Sequence, residues 1–181
     1  MKGIIFNVLE DMVVEKFGMQ VWNNLLQKHA PPDRVYVSAK HYDENELFAM
    51  ANEVAEILAI PLQDVVKAFG HYLFKGLADR HMSVVDNFPD FTSLVMGIHD
   101  VIHVEVNKLY QDPALPSISC QLKTPHTIEM RYSSPRKLCF CAEGLLFGAA
   151  DYFKQTISIS HDLCMHNGAS HCILNVEIQH D

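Results

Sequence analysis

Apolar residues recur at helical spacing through most of the first 110 positions of the chain. One stripe follows Asp43, a residue type that caps helices well, and another follows Pro61, which suits the first turn of a helix. A third stripe predicts a helix over about residues 90–110. The stripes predict that the following residues are buried: Leu47, Ala51, Val54, Ala55, Leu58, Val65, Val66, Phe69, Leu73, Leu77, Leu94, Val95, Ile98, Val101, Ile102 and Val106.

Alternation of apolar and polar residues replaces the helical spacing after Pro116. Such alternation is typical of half-buried strands. Four segments alternate in this way: 118–122, 128–132, 157–161 and 172–178. A helical pattern at about 142–156 interrupts them. We therefore predict an α+β fold, in which a helical part of about residues 1–110 packs on a small antiparallel sheet with one inserted helix, at about residues 111–181.

The bulk composition predicts one folded domain over residues 1–181, because 49% of the residues are hydrophobic and only 20% are charged. A net charge of −8 argues against nucleic acid and anionic membranes as partners. Glu10 and Asp11 interrupt the short apolar stretch at the start, so we predict no secretion signal. Five cysteines without such a signal favour reduced thiols and a cytoplasmic location.

A polar trio at Tyr132, Ser134 and Arg136 ends the second alternating segment. In an extended strand, residues at i, i+2 and i+4 share one face and span about 13 Å. All three side chains donate hydrogen bonds, and apolar residues precede them on the same face. An apolar wall that ends in such donors suits a flat, apolar dianion such as haem, in a cavity between the helices and the sheet. The alternative is a polar strand end at the surface, where Pro135 marks an edge or a bulge.

Two histidines on the third predicted helix, His99 and His103, lie one turn apart. A haem of the b type needs an axial ligand, which is usually a histidine on a helix. Histidines at i and i+4 also share a face and could bind zinc, but Asp100 stands where a metalloprotease motif has glutamate. Both could equally be ordinary surface residues. The residues by themselves leave these interpretations open.

The whole pattern resembles a bacterial haem nitric-oxide/oxygen-binding domain, of the H-NOX family, which is related to the haem domain of soluble guanylate cyclase. The resemblance covers essentially the full chain. It implies that His103 is the axial iron ligand, that the Tyr-x-Ser-x-Arg trio holds the haem propionates, and that Pro116 presses on the macrocycle. These landmarks carry it: Met1-Lys2-Gly3-Ile4, His-Val-Glu-Val at 103–106, Pro116 thirteen residues after His103, and Tyr132, Ser134 and Arg136.

The resemblance also bears on gas selectivity. Members of the family that bind O₂ carry a distal tyrosine shortly after the signature, whereas residues 137–150 of this chain contain none. Bound O₂ takes on negative charge and needs a hydrogen bond, which NO and CO need much less. We therefore predict a ferrous haem that binds NO and CO and excludes O₂. The expected apolar pocket residues are Ile5, Leu73, Phe74, Leu145 and Leu146.

The expected output is conformational, because no catalytic constellation is visible and we do not expect an enzyme. The resemblance implies that NO breaks the bond between iron and His103, so that the helix carrying His103 moves and the bent haem relaxes. A separate histidine kinase or cyclic-dinucleotide enzyme would read that change. The competing hypotheses are a zinc-dependent hydrolase that uses His99 and His103, and an interaction domain that binds a small molecule other than haem.

A second metal site is predicted near the end of the chain. Cys139 and Cys141 are expected to alternate on one strand, and His161-x-x-Cys164 follows a later strand. Three thiols and one imidazole would complete a tetrahedral zinc site. The favoured ligands are Cys139, His161, Cys164 and Cys172, with His166 and His171 as alternatives. The same thiols could instead pack as small hydrophobic groups or respond to oxidants.

Overall fold

The structure is a computed structural model that describes residues 1–109 and 114–179. Its helices are Gly3–Phe17 (α1), Met19–His29 (α2), Glu44–Leu58 (α3), Leu62–Arg80 (α4), Met82–Val85 (α5), Phe91–Met96 (α6), His103–Leu109 (α7) and Cys139–Tyr152 (α8), with a π-helix at Ile98–Ile102 and a 3₁₀ turn at Met165–Asn167. Its strands are Ser117–Thr124 (β1), Thr127–Ser133 (β2), Thr156–Leu163 (β3) and Cys172–Gln179 (β4). Among the described residues, no helix has the length and apolar character needed to cross a membrane. The predicted helix end at Tyr110, and the lobe boundary at residues 110–111, lie outside these residues.

The four strands form one antiparallel sheet in the order β1-β2-β4-β3. The predicted alternation is clearest on the central strands, where Ile128, Met130 and Tyr132 are at most 2% exposed and Leu174 and Val176 are fully buried. Helix α8 lies between β2 and β3 in the chain and packs on the sheet. The predicted fold class, helices on a small antiparallel sheet with one inserted helix, is therefore confirmed.

Helices α4 and α8 pack backbone to backbone. A Cβ atom at Gly144 would lie 2.0 Å from the carbonyl oxygen of Lys67, and one at Gly70 would lie 2.2 Å from the carbonyl oxygen of Cys141. These distances are far below a van der Waals contact, so only glycine allows the two helices to come this close. The contact joins the helical part of the chain to the part that contains the sheet.

The buried residues form two hydrophobic clusters. One is built by the sheet, α8 and the short helices α5 and α6, and the other by helices α1 to α4 together with Cys141. Helices α5 and α6, which come before residue 110 in the chain, thus pack with the sheet. Residues from both clusters line a shared cavity.

The third predicted helix is not continuous. It begins as expected at Asp90, whose carboxylate accepts the Ser93 N–H at 2.7 Å, but Gly97 ends α6 and a π-helix follows. The Gly97 carbonyl accepts from the N–H groups of both Val101 and Ile102. This wider turn shifts the phase of the side chains. Val101, predicted to be buried, is consequently 39% exposed. A second residue predicted to be buried, Leu58, is also exposed, because it is the last residue of α3.

Candidate functional site

A cavity of about 380 Å³ lies where the helical part meets the sheet. Its walls come from helices α1, α3, α4, α6, α7 and α8 and from strands β1 and β2, and they are almost wholly apolar. Polar side chains reach it at a few positions: Lys2, His81, His103, Glu105, Tyr132, Ser134 and Arg136. A large apolar chamber with few polar groups is the usual form of a cofactor site.

His103 stands at the wall of this cavity, directly after the π-helix, whereas His99 is exposed and lies outside the lining. Burial lowers the pKa of His103, and the nearby His99 lowers that pKa further. Both effects favour the neutral imidazole, which is the form that binds a metal through a ring nitrogen. His81, which the sequence analysis did not select, follows the end of α4 and also reaches the cavity.

The polar trio is placed differently from the prediction, although Tyr132, Ser134 and Arg136 all line the cavity. Strand β2 ends at Ser133, so the three residues do not share the face of one strand. Pro135 has no N–H to continue the ladder, and the Lys137 N–H instead donates to the Ser134 carbonyl at 3.0 Å, which closes a turn. The turn brings Arg136 to the cavity by a route that the strand pattern did not predict.

The trio carries hydrogen-bond donors in a largely buried setting. The Arg136 guanidinium contacts the Glu44 carboxylate through Nε, and Nη1 donates to the Ala114 carbonyl at 2.8 Å. Its five donors allow it to hold a further carboxylate beside these partners. Burial raises the pKa of Tyr132 to about 12, so its phenol stays protonated. That hydroxyl accepts the Leu138 N–H at 3.1 Å.

The apolar residues selected from the sequence also reach the cavity. These are Ile5, Leu73, Phe74, Leu145 and Leu146, together with Pro116. Sequence reasoning missed other wall residues such as Phe17 and Ile118, and it selected Leu94 and Ile98 only as core. Hydrophobic spacing marks such residues as buried, but it cannot separate those that pack on neighbours from those that face an internal space.

A second cluster of side chains with metal-binding chemistry includes residues at the start of α8. Cys139 and Cys141 were predicted to alternate on a strand, and that prediction was wrong, because both lie in the first turn of α8. Residues at i and i+2 of a helix point in different directions. Cys139 therefore joins the cluster packed on the sheet, whereas Cys141 faces the cavity.

Four ligand atoms converge at this second cluster. The sulfurs of Cys139, Cys164 and Cys172 and a ring nitrogen of His161 all lie within 4.8 Å of one another. The Sγ atoms of Cys139 and Cys164 are 3.9 Å apart, close to the separation of about 3.8 Å between two sulfurs on a tetrahedral zinc ion. The alternatives point elsewhere: His166 contacts the Lys137 carbonyl at 2.8 Å, and His171 contacts the Ser170 hydroxyl at 2.9 Å.

The setting of this thiol cluster, Cys139, His161, Cys164 and Cys172, suits a cation. Burial raises the pKa of the Cys139 thiol and that of the Cys172 thiol, because a thiolate would lie out of reach of water. A bound divalent ion supplies the opposite charge and lets such thiols ionise. Nε2 of His161 is buried and, among the described residues, is the one buried side-chain nitrogen or oxygen that lacks a hydrogen-bond partner. A buried ring nitrogen without a hydrogen-bond partner is suited to bind a metal ion.

Comparison with known proteins places the chain in a family. The family model described as Haem-NO-binding matches residues 2–161. The chain belongs to this family. An H-NOX protein from Shewanella oneidensis in the Fe(II)NO ligation state is 69% identical, covers 99% of this chain and 100% of its own, and superposes with a TM-score of 0.98. The solution structure of the S. oneidensis H-NOX domain in the Fe(II)CO state is also 69% identical, with full coverage of both chains and a TM-score of 0.94.

A more distant relative of this H-NOX chain is the soluble guanylate cyclase gcy-35 of Caenorhabditis elegans. It is 21% identical over 143 residues, which is 75% of this chain. The chain spans only 20% of the length of that cyclase. The match therefore concerns a part of the longer protein.

Proposed function

We propose that this H-NOX protein is a haem-based sensor of nitric oxide. The observation that carries the proposal is the cavity, because a half-buried imidazole and a set of anion-binding donors both reach one apolar chamber. His103 would hold the iron through a neutral ring nitrogen. Tyr132, Ser134 and Arg136 would hold the propionates, and Pro116 would press on the macrocycle. These residue types fit the needs of haem b: an axial imidazole, partners for two carboxylates and apolar walls.

The bound haem would supply a ferrous iron able to take a diatomic gas, and the chain would select the gas. We propose binding of NO and CO and exclusion of O₂. The apolar side chains of Ile5, Leu73, Phe74, Leu145 and Leu146 offer no hydrogen bond, which O₂ requires more than the other gases do. The Fe(II)NO and Fe(II)CO states of the S. oneidensis relatives support this choice of ligands.

The signal would leave through the segment that carries His103. We propose that His103 leaves the iron when NO binds, so that α7 and the π-helix before it shift and Pro116 no longer strains the macrocycle. A π-helix inside a longer helical stretch is often a functional element. Two positions of this segment, each favoured by one ligand state, would be read by a partner. We propose a histidine kinase or a cyclic-dinucleotide enzyme as that partner.

The proposal also covers the domain organisation and the location of the protein. Residues 1–181 would act as one haem-binding domain that is not itself an enzyme and works in the cytoplasm. The hydrolase alternative is disfavoured by geometry, because His99 is exposed while His103 faces the cavity. Among the described residues, the thiol cluster is the one place where three or more His, Cys, Asp or Glu side chains converge, and it includes neither His99 nor His103.

One visible absorption spectrum of the purified protein tests the proposal. We expect stoichiometric haem, a large shift of the main absorption band when NO is added to the ferrous form, and an unchanged ferrous spectrum in air-saturated buffer over minutes. A stable oxygenated spectrum would contradict the exclusion of O₂. A colourless protein that takes up no added haem would leave the hydrolase or the non-haem interaction domain as the explanation.

We also propose a structural zinc ion at the thiol cluster. The convergence of three sulfurs and one buried, unpartnered imidazole nitrogen supports it. The ion would join the start of α8 to β3, to the loop after β3 and to β4. Elemental analysis should give about one zinc per chain, with loss in Cys172→Ser and retention in Cys120→Ser, whose thiol lies outside the cluster. Equal zinc content in the two variants would refute the ligand set.

A further inference from the structure

The two ring nitrogens of His161 differ in their contacts. Its Nδ1 lies 2.7 Å from Oε1 of Glu143, while Nε2 is buried without a hydrogen-bond partner. A carboxylate only accepts hydrogen bonds, so in the neutral form of the ring Nδ1 carries the proton and Nε2 carries the lone pair. That tautomer is the one in which Nε2 can bind a metal ion. Glu143 therefore selects the reactive form of the ring.

Glu143 is itself fixed at both of its oxygens. Oε1 accepts from His161, and Oε2 lies 2.6 Å from the ammonium of Lys67. The residue is only 4% exposed, in a chain whose acidic side chains mostly reach solvent. A buried carboxylate needs such partners, because burial of an unpaired charge is strongly unfavourable. With both oxygens engaged, the carboxylate cannot rotate away from the imidazole.

The two helices that carry this chain of contacts are close-packed at the same level. Glu143 lies one helical turn after Cys139 on α8, so one helix supplies both a thiol and the group that orients the imidazole. The next residue, Gly144, allows α8 to touch the backbone carbonyl of Lys67 on α4. The backbone of Lys67 is therefore fixed relative to α8, and its ammonium reaches Glu143 from that fixed position.

We propose that Glu143 is the positioning residue of the thiol cluster, orienting His161 toward the three sulfurs, and that Lys67 anchors Glu143. The inference rests on the proposed zinc site. It adds two residues that support the ligands, Glu143 on α8 and Lys67 on α4, and α4 also lines the haem cavity. Ligating histidines commonly donate their second ring N–H to a carboxylate, and loss of that partner typically weakens metal binding about 10–100-fold.

Zinc affinity of the whole chain, measured by competition with a chromogenic chelator, gives the first test. We expect Glu143→Ala to weaken zinc binding about 10–100-fold. Glu143→Gln, which keeps the volume and an accepting oxygen, should fall between Glu143→Ala and the wild type, as should Lys67→Met. Asp151→Asn is the matched control, since Asp151 pairs with His71 at 2.7 Å across the same two helices but is exposed. It should bind zinc like the wild type.

The ring tautomer of His161 gives a readout that a purely structural role would not change. In ¹⁵N NMR spectra of the reduced, zinc-free wild type in a diamagnetic state, His161 should be protonated at Nδ1. Glu143→Ala should lose that preference, and Glu143→Gln should partly restore it. Unchanged zinc affinity and an unchanged tautomer in a folded Glu143→Ala variant would overturn the role of Glu143 alone. A wild type without stoichiometric zinc would overturn the zinc site and this inference together.

Discussion

The haem cavity and the thiol cluster are built in contrasting ways, although both use residues of helix α8. The cavity is about 380 Å³ of nearly apolar space that a few polar side chains reach. In the thiol cluster, by contrast, the four ligand atoms converge within 4.8 Å of one another. A large cofactor is held mainly by apolar contact, so few polar groups suffice to orient it. A bare ion is held only by its ligands, so the set must be complete.

Helix α8 belongs to both sites, and α4 supports both. On α8, Cys139 and Glu143 face the thiol cluster while Leu145 lines the cavity, and on α4, Lys67 reaches Glu143 while Leu73 lines the cavity. The two sites thus use different side chains of the same two helices. A change in the spacing of α4 and α8 should affect both sites, whereas a change of one side chain should affect only its own.

The largest effect is expected from Gly144→Ala. Its Cβ would lie 2.0 Å from the Lys67 carbonyl oxygen, and because this is backbone, the helices must separate. We expect a loss of about 3 kcal/mol in the free energy of unfolding, as for other overpacked cores. Zinc and haem retention should fall together. Chemical denaturation measures the free energy of unfolding, and elemental analysis and absorption measure zinc and haem content. Asp151→Ala, at an exposed position on the same helix, is the control. Equal stability of Gly144→Ala and this control would contradict the close-packing argument.

The next largest effect is confined to the cavity. His103→Gly removes the proposed iron ligand, so the variant should hold its haem in the native spectral form only when free imidazole is added. Absorption spectra with and without imidazole measure this. His99→Gly and His81→Gly are the controls, the first because His99 is exposed and the second because His81 also lines the cavity. Imidazole dependence in either control instead of His103→Gly would reassign the ligand.

A smaller effect is expected at the polar end of the cavity. Arg136→Ala should speed haem transfer to apomyoglobin roughly tenfold or more, since a hydrogen bond to a charged group contributes about 1.5–3 kcal/mol. Lys137→Ala is the neighbouring control. Glu44→Gln removes only the ion pair with Arg136 and so separates that contact from a contact with the propionates. Equal transfer rates in Arg136→Ala and Lys137→Ala would exclude the propionate role.

The smallest effect on the cavity should come from zinc removal. A chelator should lower the Tm by roughly 5–10 °C, the amount expected from about 2–3 kcal/mol of lost stabilisation in a chain of this size. The haem absorption spectrum below the transition should not change, because none of the four proposed zinc ligands lines the cavity. Circular dichroism and haem absorption recorded together measure both. The chelator should not shift the Tm of Cys172→Ser, and a shift there would indicate an effect unrelated to the thiol cluster.

The sequence determined the local elements and the residue types of both sites. Alternation at Ile128, Met130 and Tyr132 predicted a buried strand face, and the spacing of His103, Pro116 and the trio predicted the family. These inferences hold because burial of apolar side chains at fixed periods, and the chemistry of imidazole, guanidinium and thiol, are properties of short segments.

Only the tertiary structure decided where those segments begin, end and meet. Cys139 and Cys141 fit a strand by spacing, yet they start α8, which packs backbone to backbone on α4 at Gly70 and Gly144. The contacts of Glu143 with His161 and Lys67 likewise depend on residues far apart in the chain. No local pattern encodes them, because packing between distant segments, rather than local propensity, fixes their geometry.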